Sequence, residues 1–238
     1  MYEKPTIDMH CHILPGVDDG ATDLHQAMEM LRQAYADGTR AMILTPHGHN
    51  CGPKWQETFV LLQSTIRDSF PDLRLYLGSE ILYDLETVER LDSADVRCLN
   101  GSHYCLLEFH TTAWRSQIVR AVSDVLYGGY IPIIAHAERY KIIRDDTALV
   151  NELLDMGALI QLNADSVMGK QGFLVKHFCK KLLKEKMVHF IASDAHDTAN
   201  RPPLLDACRK LVDRKYGSAY ADALFYDYAL AVIEDRVV

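Results

Sequence analysis

Short apolar runs alternate with longer amphipathic stretches along almost the whole of this chain. The runs are Thr6–Met9, Ala41–Thr45, Leu73–Leu77, Tyr104–Leu107, Ile131–Ala135, Ala158–Leu162 and Val188–Ala192, each four to five residues long. Most carry Ile, Leu or Val, which suits strands buried on both faces. After the first run, Leu24, Ala27, Met28, Leu31 and Tyr35 recur at helical spacing, and Gly38 follows as a helix stop. Similar helical patterns occupy 56–68, 114–127, 146–155, 173–185 and 203–215. Strand–helix alternation repeated about seven times predicts an α/β fold with a parallel sheet, open or closed. The segment 80–102 breaks the pattern and is expected to be a longer excursion. With no Gly/Ser linker, low-complexity tract or internal repeat, a single domain over 1–238 is expected.

The residues that follow these runs narrow the chemistry. Thr6–Met9 leads into His10 and His12, Ala41–Thr45 into His47, and Leu73–Leu77 into Glu80. Tyr104–Leu107 leads into Glu108, Ile131–Ala135 into His136, and Val188–Ala192 into Asp194 and His196. Loops chosen at random would offer mostly Ser, Gly, Lys and Asn. In a closed parallel barrel all strand C-termini meet on one face, where such folds build active sites.

Charge and composition exclude other classes. Lys and Arg number 25 against 33 Asp and Glu, a net charge of −8, which argues against a nucleic-acid phosphate track. No apolar stretch approaches the roughly 20 residues that span a bilayer, so membrane insertion is not expected. Met1 to His10 has no apolar core of a secretory leader, and the six cysteines form no CxxC pair. A cytoplasmic protein with reduced thiols is the expectation. The 11 histidines stand out, because His is both the commonest metal ligand and the near-neutral acid–base group.

In His10-Cys11-His12 the two imidazoles point to one side of an extended segment, so both reach one ion. Glu80, Glu108, His136, Asp194 and His196 offer further ligands. A lone HxH is weak evidence; HxH after the first strand with DxH after the last is far more specific. Mixed His and carboxylate ligands suit Zn, Mn or Fe(II), and so many of them suit two or three ions sharing a carboxylate.

The opening Ile7-Asp8-Met9-His10-Cys11-His12-Ile13-Leu14-Pro15-Gly16-Val17-Asp18-Asp19-Gly20-Ala21 resembles the start of the polymerase-and-histidinol-phosphatase (PHP) superfamily. More narrowly, it is similar to the bacterial metal-dependent protein-tyrosine phosphatases encoded with capsular and exopolysaccharide synthesis. The resemblance continues through Thr45-Pro46-His47, Gly78-Ser79-Glu80-Ile81, Leu107-Glu108-Phe109, Ile134-Ala135-His136-Ala137-Glu138-Arg139-Tyr140, Gln161-Leu162-Asn163-Ala164, and Ala192-Ser193-Asp194-Ala195-His196 to Arg201-Pro202-Pro203. Ala137 and Gly48 depart from residues frequent in relatives; neither is at a ligand position.

That resemblance implies a distorted (β/α)7 TIM-like barrel, the PHP fold, with a site for two or three divalent ions, Mn first and Fe or Zn as alternatives. By position, His10, His12, Glu80 and Asp194 would hold one ion, and Glu80 would bridge to a second held by Glu108 and His136. Asp19, His47 and His196 would hold a third. Arg139 would clamp the phosphate, Arg201 is a second phosphate-binding candidate, and His196 is the better candidate to protonate the leaving phenolate. The implied activity is phosphotyrosine hydrolysis by metal-bridged hydroxide, on the tail of a bacterial tyrosine kinase. A small-molecule phosphoesterase such as a histidinol phosphatase, and a non-catalytic metal-binding module, are the rival readings. The sequence leaves the oligomeric state open, a homo-oligomer included.

Several residues carry blander expectations. Cys208 to Arg214 fits the C-x5-R pattern of cysteine-dependent phosphatases, but it has no Gly and lies in a helical run, so a structural thiol is expected. Cys11 should pack away from the ligands. His25, His103, His177 and His189 read as surface or core groups, whereas His49 and His110 stand near ligand positions. Tyr140 and Trp114 suit either a pocket or the core. Asp8 and Asn163 fit the orienting of ligands, Asp18 the shaping of the Gly20 turn, and Arg115 with Arg139 a local basic patch.

Overall fold

The computed structural model describes residues 4–48 and 52–238. Its strands are β1 (Thr6–Cys11), β2 (Thr39–Leu44), β3 (Arg74–Leu77), β4 (Glu80–Leu82), β5 (Tyr104–Glu108), β6 (Ile131–Ile134), β7 (Leu159–Asn163) and β8 (Phe190–Ala192). All neighbours pair in parallel, in one sheet ordered β1-β2-β3 and another ordered β4-β5-β6-β7-β8. The architecture is α/β with parallel sheets. Each apolar run found in the sequence contributes a strand, for the expected reason: side chains on both faces are covered.

Where seven strands were expected, eight are found among the described residues, because β4 forms just beyond the third run, in the segment expected to be an excursion. Leu77 pairs with Leu44 of β2, whereas Glu80, three residues on, pairs with Leu106 of β5. Gly78 lies at the break against Leu99: a Cβ there would stand 2.7 Å from Leu99 Cδ2 and 3.1 Å from its Cα, so any larger residue would have to displace Leu99. The chain therefore changes sheets at Gly78–Ser79. Isolated parallel bridges link the sheets at two places, Cys11 to Ala195 and His47 to Glu80.

Helices Leu24–Ala36, Pro53–Ile66, Arg115–Tyr127, Thr147–Met156, Phe173–Lys184 and Asp206–Tyr216 fill the predicted helical stretches. The first begins at Asp23, whose side chain accepts from the Gln26 N–H. It ends before Gly38, whose φ of +102° suits a helix stop. Residues 80–102 hold β4, a short helix Thr87–Asp92 and a turn at Leu99–Gly101, so the excursion is real but begins with a strand. One apolar cluster packs helices on the β4–β8 sheet, a second packs the first two helices on the β1–β3 sheet, and a third, with Met9, Ile43, Leu106, Ile133 and Phe190, lies between the sheets. No helix among the described residues is long and apolar enough to cross a membrane.

Candidate metal centre

His10 and His12 stand at the end of β1, with Nε2 atoms facing each other at 3.2 Å. Between them, Cys11 turns the other way and its thiol donates to the Ile43 carbonyl, as its packing role predicts. Asp194 Oδ1 lies 3.5 Å from His10 Nε2 and 3.6 Å from His12 Nε2, and Glu80 Oε2 lies 3.4 and 3.3 Å from the same atoms. On its other oxygen Glu80 meets His136 Nε2 at 2.7 Å. His47 Nδ1 is 3.2 Å from Glu80 Oε2 and 3.7 Å from Glu108 Oε2. Asp19 Oδ1 completes the ring at 3.4 Å from His47 Nε2 and 3.5 Å from His196 Nε2.

The structure thus gathers His10, His12, Asp19, His47, Glu80, Glu108, His136, Asp194 and His196 at one place. Three overlapping groups have ligand atoms close enough to hold an ion: His12, Asp19, His47 and His196; His10, His12 and Asp194; His47, Glu80 and Glu108. These groups share His12 and His47, a different division from the one the resemblance implies.

Local backbone features aim these side chains. His136 and Asp194, each two residues after its strand (β6 and β8), both adopt left-handed conformations, with φ of +32° and +53°. Such residues are uncommon outside glycine, and clusters of them mark sites over-determined by their surroundings. The Asp18-Asp19-Gly20 turn folds back over His12, and the Ala21 N–H donates to the His12 carbonyl at 2.9 Å.

A second ring of polar groups fixes orientation. Asp18 Oδ2 accepts from His12 Nδ1 at 2.7 Å and from the His47 N–H at 3.1 Å, while Oδ1 accepts from the Gly20 N–H at 3.0 Å. Asp18 shapes the turn, as expected, and it also presents His12 through Nε2. Gln161 Oε1 accepts from His10 Nδ1 at 3.2 Å and from the His136 N–H at 2.6 Å. Asn163 Nδ2 donates to Asp194 Oδ2 at 2.7 Å, which is the orienting role expected of it. Buried Tyr140 places its hydroxyl 3.3 Å from His136 Nδ1 and accepts from the Phe109 N–H; it belongs to the core. Asp8 accepts from the Ser193 N–H and hydroxyl at 3.0 and 2.5 Å, so it acts on a ligand through the turn that carries Asp194 and not through an imidazole ring.

The electrostatics call for a cation. His10, His12, Glu80, His136 and Asp194 are all buried. Burial alone would raise the Glu80 pKa, but His10 and His136 outweigh it and hold the carboxyl well below its ordinary range. Burial disfavours charge on His12, yet Asp18, Glu80 and Asp194 raise its pKa to about 10. Asp194 Oδ1 is buried with no hydrogen-bond partner among the described residues, although it faces two imidazole nitrogens. A divalent ion satisfies an orphaned carboxylate oxygen and opposed ring nitrogens together, so the donor set fits such ions.

Beside the cluster, Arg139 Nη1 and Arg201 Nη2 approach the same oxygen, Asp194 Oδ2, at 3.3 and 2.6 Å. They border a cleft of about 140 Å³ with Asn163, Ser166 and Gln171. The structure thus brings both arginines to one cleft beside the ligand cluster. Arg115 is not part of that patch: it pairs with Asp146 and Glu152.

Cys208 is buried inside helix Asp206–Tyr216, and burial raises its thiol pKa well above the ordinary value, so it is no nucleophile. His25 and His177 are exposed, His103 pairs with Asp235, and His189 is partly buried. His110 and Trp114 line a groove next to Glu108, and His49 lies outside the described residues. Sequence reasoning missed Gln161 as an orienting group. Its signal was an amide inside a run expected to be buried on both faces, where a polar side chain needs partners.

Comparison with known proteins agrees with this geometry. The tyrosine-protein phosphatase CpsB of Streptococcus pneumoniae is 33% identical over 242 residues, covering 98% of this chain and 100% of that protein. YwqE of Bacillus subtilis, also named a tyrosine-protein phosphatase, is 34% identical over 222 residues, covering 89% and 85%. A solved chain from the metal-dependent tyrosine phosphatases YwqE of Bacillus subtilis and CpsB of Streptococcus pneumoniae matches with a TM-score of 0.90, at 31% identity and 98% and 96% coverage. Histidinol phosphate phosphatase of Lactococcus lactis, at 15% identity, TM-score 0.60 and coverage of 90% and 94%, shares the fold. The family model for capsular polysaccharide synthesis, CpsB/CapC, matches residues 6–234, and the chain belongs to that family.

Proposed function

We propose that this chain is a metal-dependent protein-tyrosine phosphatase acting on the phosphorylated tail of a bacterial tyrosine autokinase that controls capsule or exopolysaccharide synthesis. One observation carries the reading: a buried His and carboxylate cluster shares Asp194 with two arginines that border a phosphate-sized cleft. The named activities of the 33% and 34% identical relatives support it.

His10, His12, Glu80 and Asp194 would hold one ion, Glu80, Glu108 and His136 a second, and Asp19, His47 and His196 a third. Two or three ions, Mn first with Fe or Zn as alternatives, would supply Lewis acidity and an activated water. Arg139 and Arg201 bind the phosphoryl oxygens, exchanging Asp194 Oδ2 for substrate. Asn163 keeps Asp194 in place while they do so. His196 Nδ1 faces the Asp194 carbonyl at 3.0 Å, and a proton held there leaves the Nε2 lone pair free for ligation. In that tautomer His196 serves as a ligand, and a phenolate is the leaving group that least needs a proton from it.

A histidinol-type substrate brings a cationic amine, which two arginines at the cleft repel. The complete ligand set weighs against a silent regulatory module. We further infer that the two sheets are parts of one distorted (β/α)7 barrel and that residues 1–238 act as one domain. The bridges from Cys11 to Ala195 and from His47 to Glu80 support both. A cytoplasmic location, where kinase tails and Mn²⁺ are available, fits this activity.

The test is phosphate release from a tyrosine-phosphorylated peptide and from histidinol phosphate, with added Mn²⁺ and after chelation. Chelator-sensitive release favouring the peptide is expected. Preference for histidinol phosphate would overturn the substrate class, and chelator-resistant release lost in Cys208→Ser would overturn the metal reading.

A further inference from the structure

We propose that the groove beside Glu108 seats the peptide that carries the phosphotyrosine, and that it selects an apolar or aromatic side chain within about three residues of it. This rests on the phosphatase reading and specifies its substrate.

The groove, about 510 Å³, lies between the loops that follow β4 and β5 and is lined by Tyr83, Leu85, Phe109, His110, Trp114 and Arg120, among others. Its volume falls within the range of sites that hold one or two large side chains. Leu85 and Trp114 are 72% and 74% exposed, unusual for two large apolar groups lining one groove. Exposed aromatic anchors of this kind dominate peptide and protein recognition.

Three observations join the groove to the reacting centre. Phe109 directly follows Glu108, so the groove begins one residue from a candidate ligand. The ring of Phe109 packs against Tyr83 on the groove side, at 6.2 Å, and edge-on against Tyr140 on the other, at 5.5 Å. The Tyr140 hydroxyl in turn faces His136 Nδ1 and accepts from the Phe109 N–H. Groove and metal centre therefore share a wall.

The position also answers a spatial need. The cleft between Arg139 and Arg201, at about 140 Å³ and lined by polar groups, takes a phosphoryl group and leaves no room for a peptide. It is bordered by residues following β6, β7 and β8, whereas the groove belongs to β4 and β5 at the other end of that sheet. The peptide beyond the phenol ring needs a surface outside the arginine cleft, and the aromatic one stands beside Glu108. An extended chain advances roughly 3.3 Å per residue, so the side chains that flank the phosphotyrosine are the ones the groove is offered.

The experiment compares Trp114→Ala and Leu85→Ala with the unaltered protein, loaded with Mn²⁺. The substrates are a phosphotyrosine peptide with Leu and Phe beside the phosphotyrosine, one with Gly and Ser there, and p-nitrophenyl phosphate. Both side chains are largely exposed, so their truncation leaves the core intact. We expect the unaltered protein to prefer the apolar peptide through KM. In Trp114→Ala that KM should rise roughly tenfold with kcat unchanged, while KM for p-nitrophenyl phosphate stays within twofold. A second readout needs no turnover. Trp55 is buried and Trp114 exposed, so the apolar peptide, itself free of Trp, should shift the tryptophan emission of the chelated protein to shorter wavelength. Equal KM for the two peptides, or an unchanged peptide KM in both variants, would overturn the groove while p-nitrophenyl phosphate turnover keeps the phosphatase reading. So would a change in sedimentation of Trp114→Ala without a change in KM, which would make the groove a contact between copies of this chain. Failure of the unaltered protein to release phosphate from either peptide would overturn the phosphatase reading and this inference with it.

Discussion

Gly20 lies against His12 so closely that a Cβ at Gly20 would stand 2.0 Å from the His12 carbonyl oxygen and 2.5 Å from its Cβ. The DDG turn is thus a lid pressed onto a ligand strand, and only glycine permits the contact. Gly20→Ala must push His12 or the turn away. We expect it to lower Mn²⁺-dependent turnover by roughly 100-fold or more, since small misplacements at a reacting centre cost that much. Circular dichroism alongside phosphate release checks it; wild-type turnover in a folded Gly20→Ala protein would show that the turn does not set His12.

Asp18 reaches His12 without touching the reacting side of the cluster. Asp18→Asn should keep the turn yet weaken its hold on the His12 ring, lowering metal affinity by roughly 10–100-fold. The measurement is a Mn²⁺ titration of activity. A rightward shift with near-normal turnover at saturation is the expected shape; an unshifted curve would sink the assignment.

His136 meets Glu80 at 2.7 Å from a left-handed backbone position. His136→Ala removes a ring from the middle of the ligand cluster, so most activity should go while circular dichroism still shows a folded protein. Near-normal turnover in the folded variant refutes its place among the ligands.

Arg201 is the nearer of the two arginines on Asp194, at 2.6 Å. Arg201→Ala should raise KM for phosphotyrosine substrates and weaken inhibition by inorganic phosphate, by roughly tenfold or more for a charge-assisted contact. Arg201→Lys should recover only part of this, because one ammonium replaces a planar fork. Unaltered phosphate inhibition in Arg201→Ala would leave Arg139 alone in the role.

His189 offers a pH test away from the metal centre. Its Nδ1 accepts from the Ile160 N–H at 3.2 Å, a bond that needs a neutral ring, and burial lowers its pKa to about 4. The unfolded chain takes up a proton as pH falls through about 6.5, while the folded one resists until about 4. Stability is therefore fully present above pH 6.5 and declines on acidification, by about 2 kcal/mol at pH 5 from this group. Urea unfolding of wild type and His189→Gln at pH 7.5 and 5 should show a smaller loss in the variant. Equal losses would contradict it.

What the sequence made legible is what repeats. Buried strands announce themselves as apolar runs, and eight of the nine ligand candidates stand one to four residues beyond a run, whereas Asp19 came only from the family resemblance. What escaped depends on contacts distant in sequence. Gln161 serves His10 from 151 residues away. Arg115 looked like part of a basic patch until Asp146 and Glu152 were seen to claim it. Strand β4 escaped because it is three residues long and opens on a carboxylate, which gives no apolar run to read.

The break between β3 and β4 has a mechanical meaning. Leu77 is tied to one sheet and Glu80 to the other, with only Gly78 and Ser79 between them. Glu80 is also the carboxylate that lies among His10, His12, His47 and His136. Glu80 is tied back to the first sheet as well, through the Pro46 carbonyl and the Gly48 N–H, so the join between the sheets runs through the middle of the ligand cluster. The residue that rivets the scaffold shut is thus the one the imidazoles surround, and the fit between the sheets is read out at a single side chain.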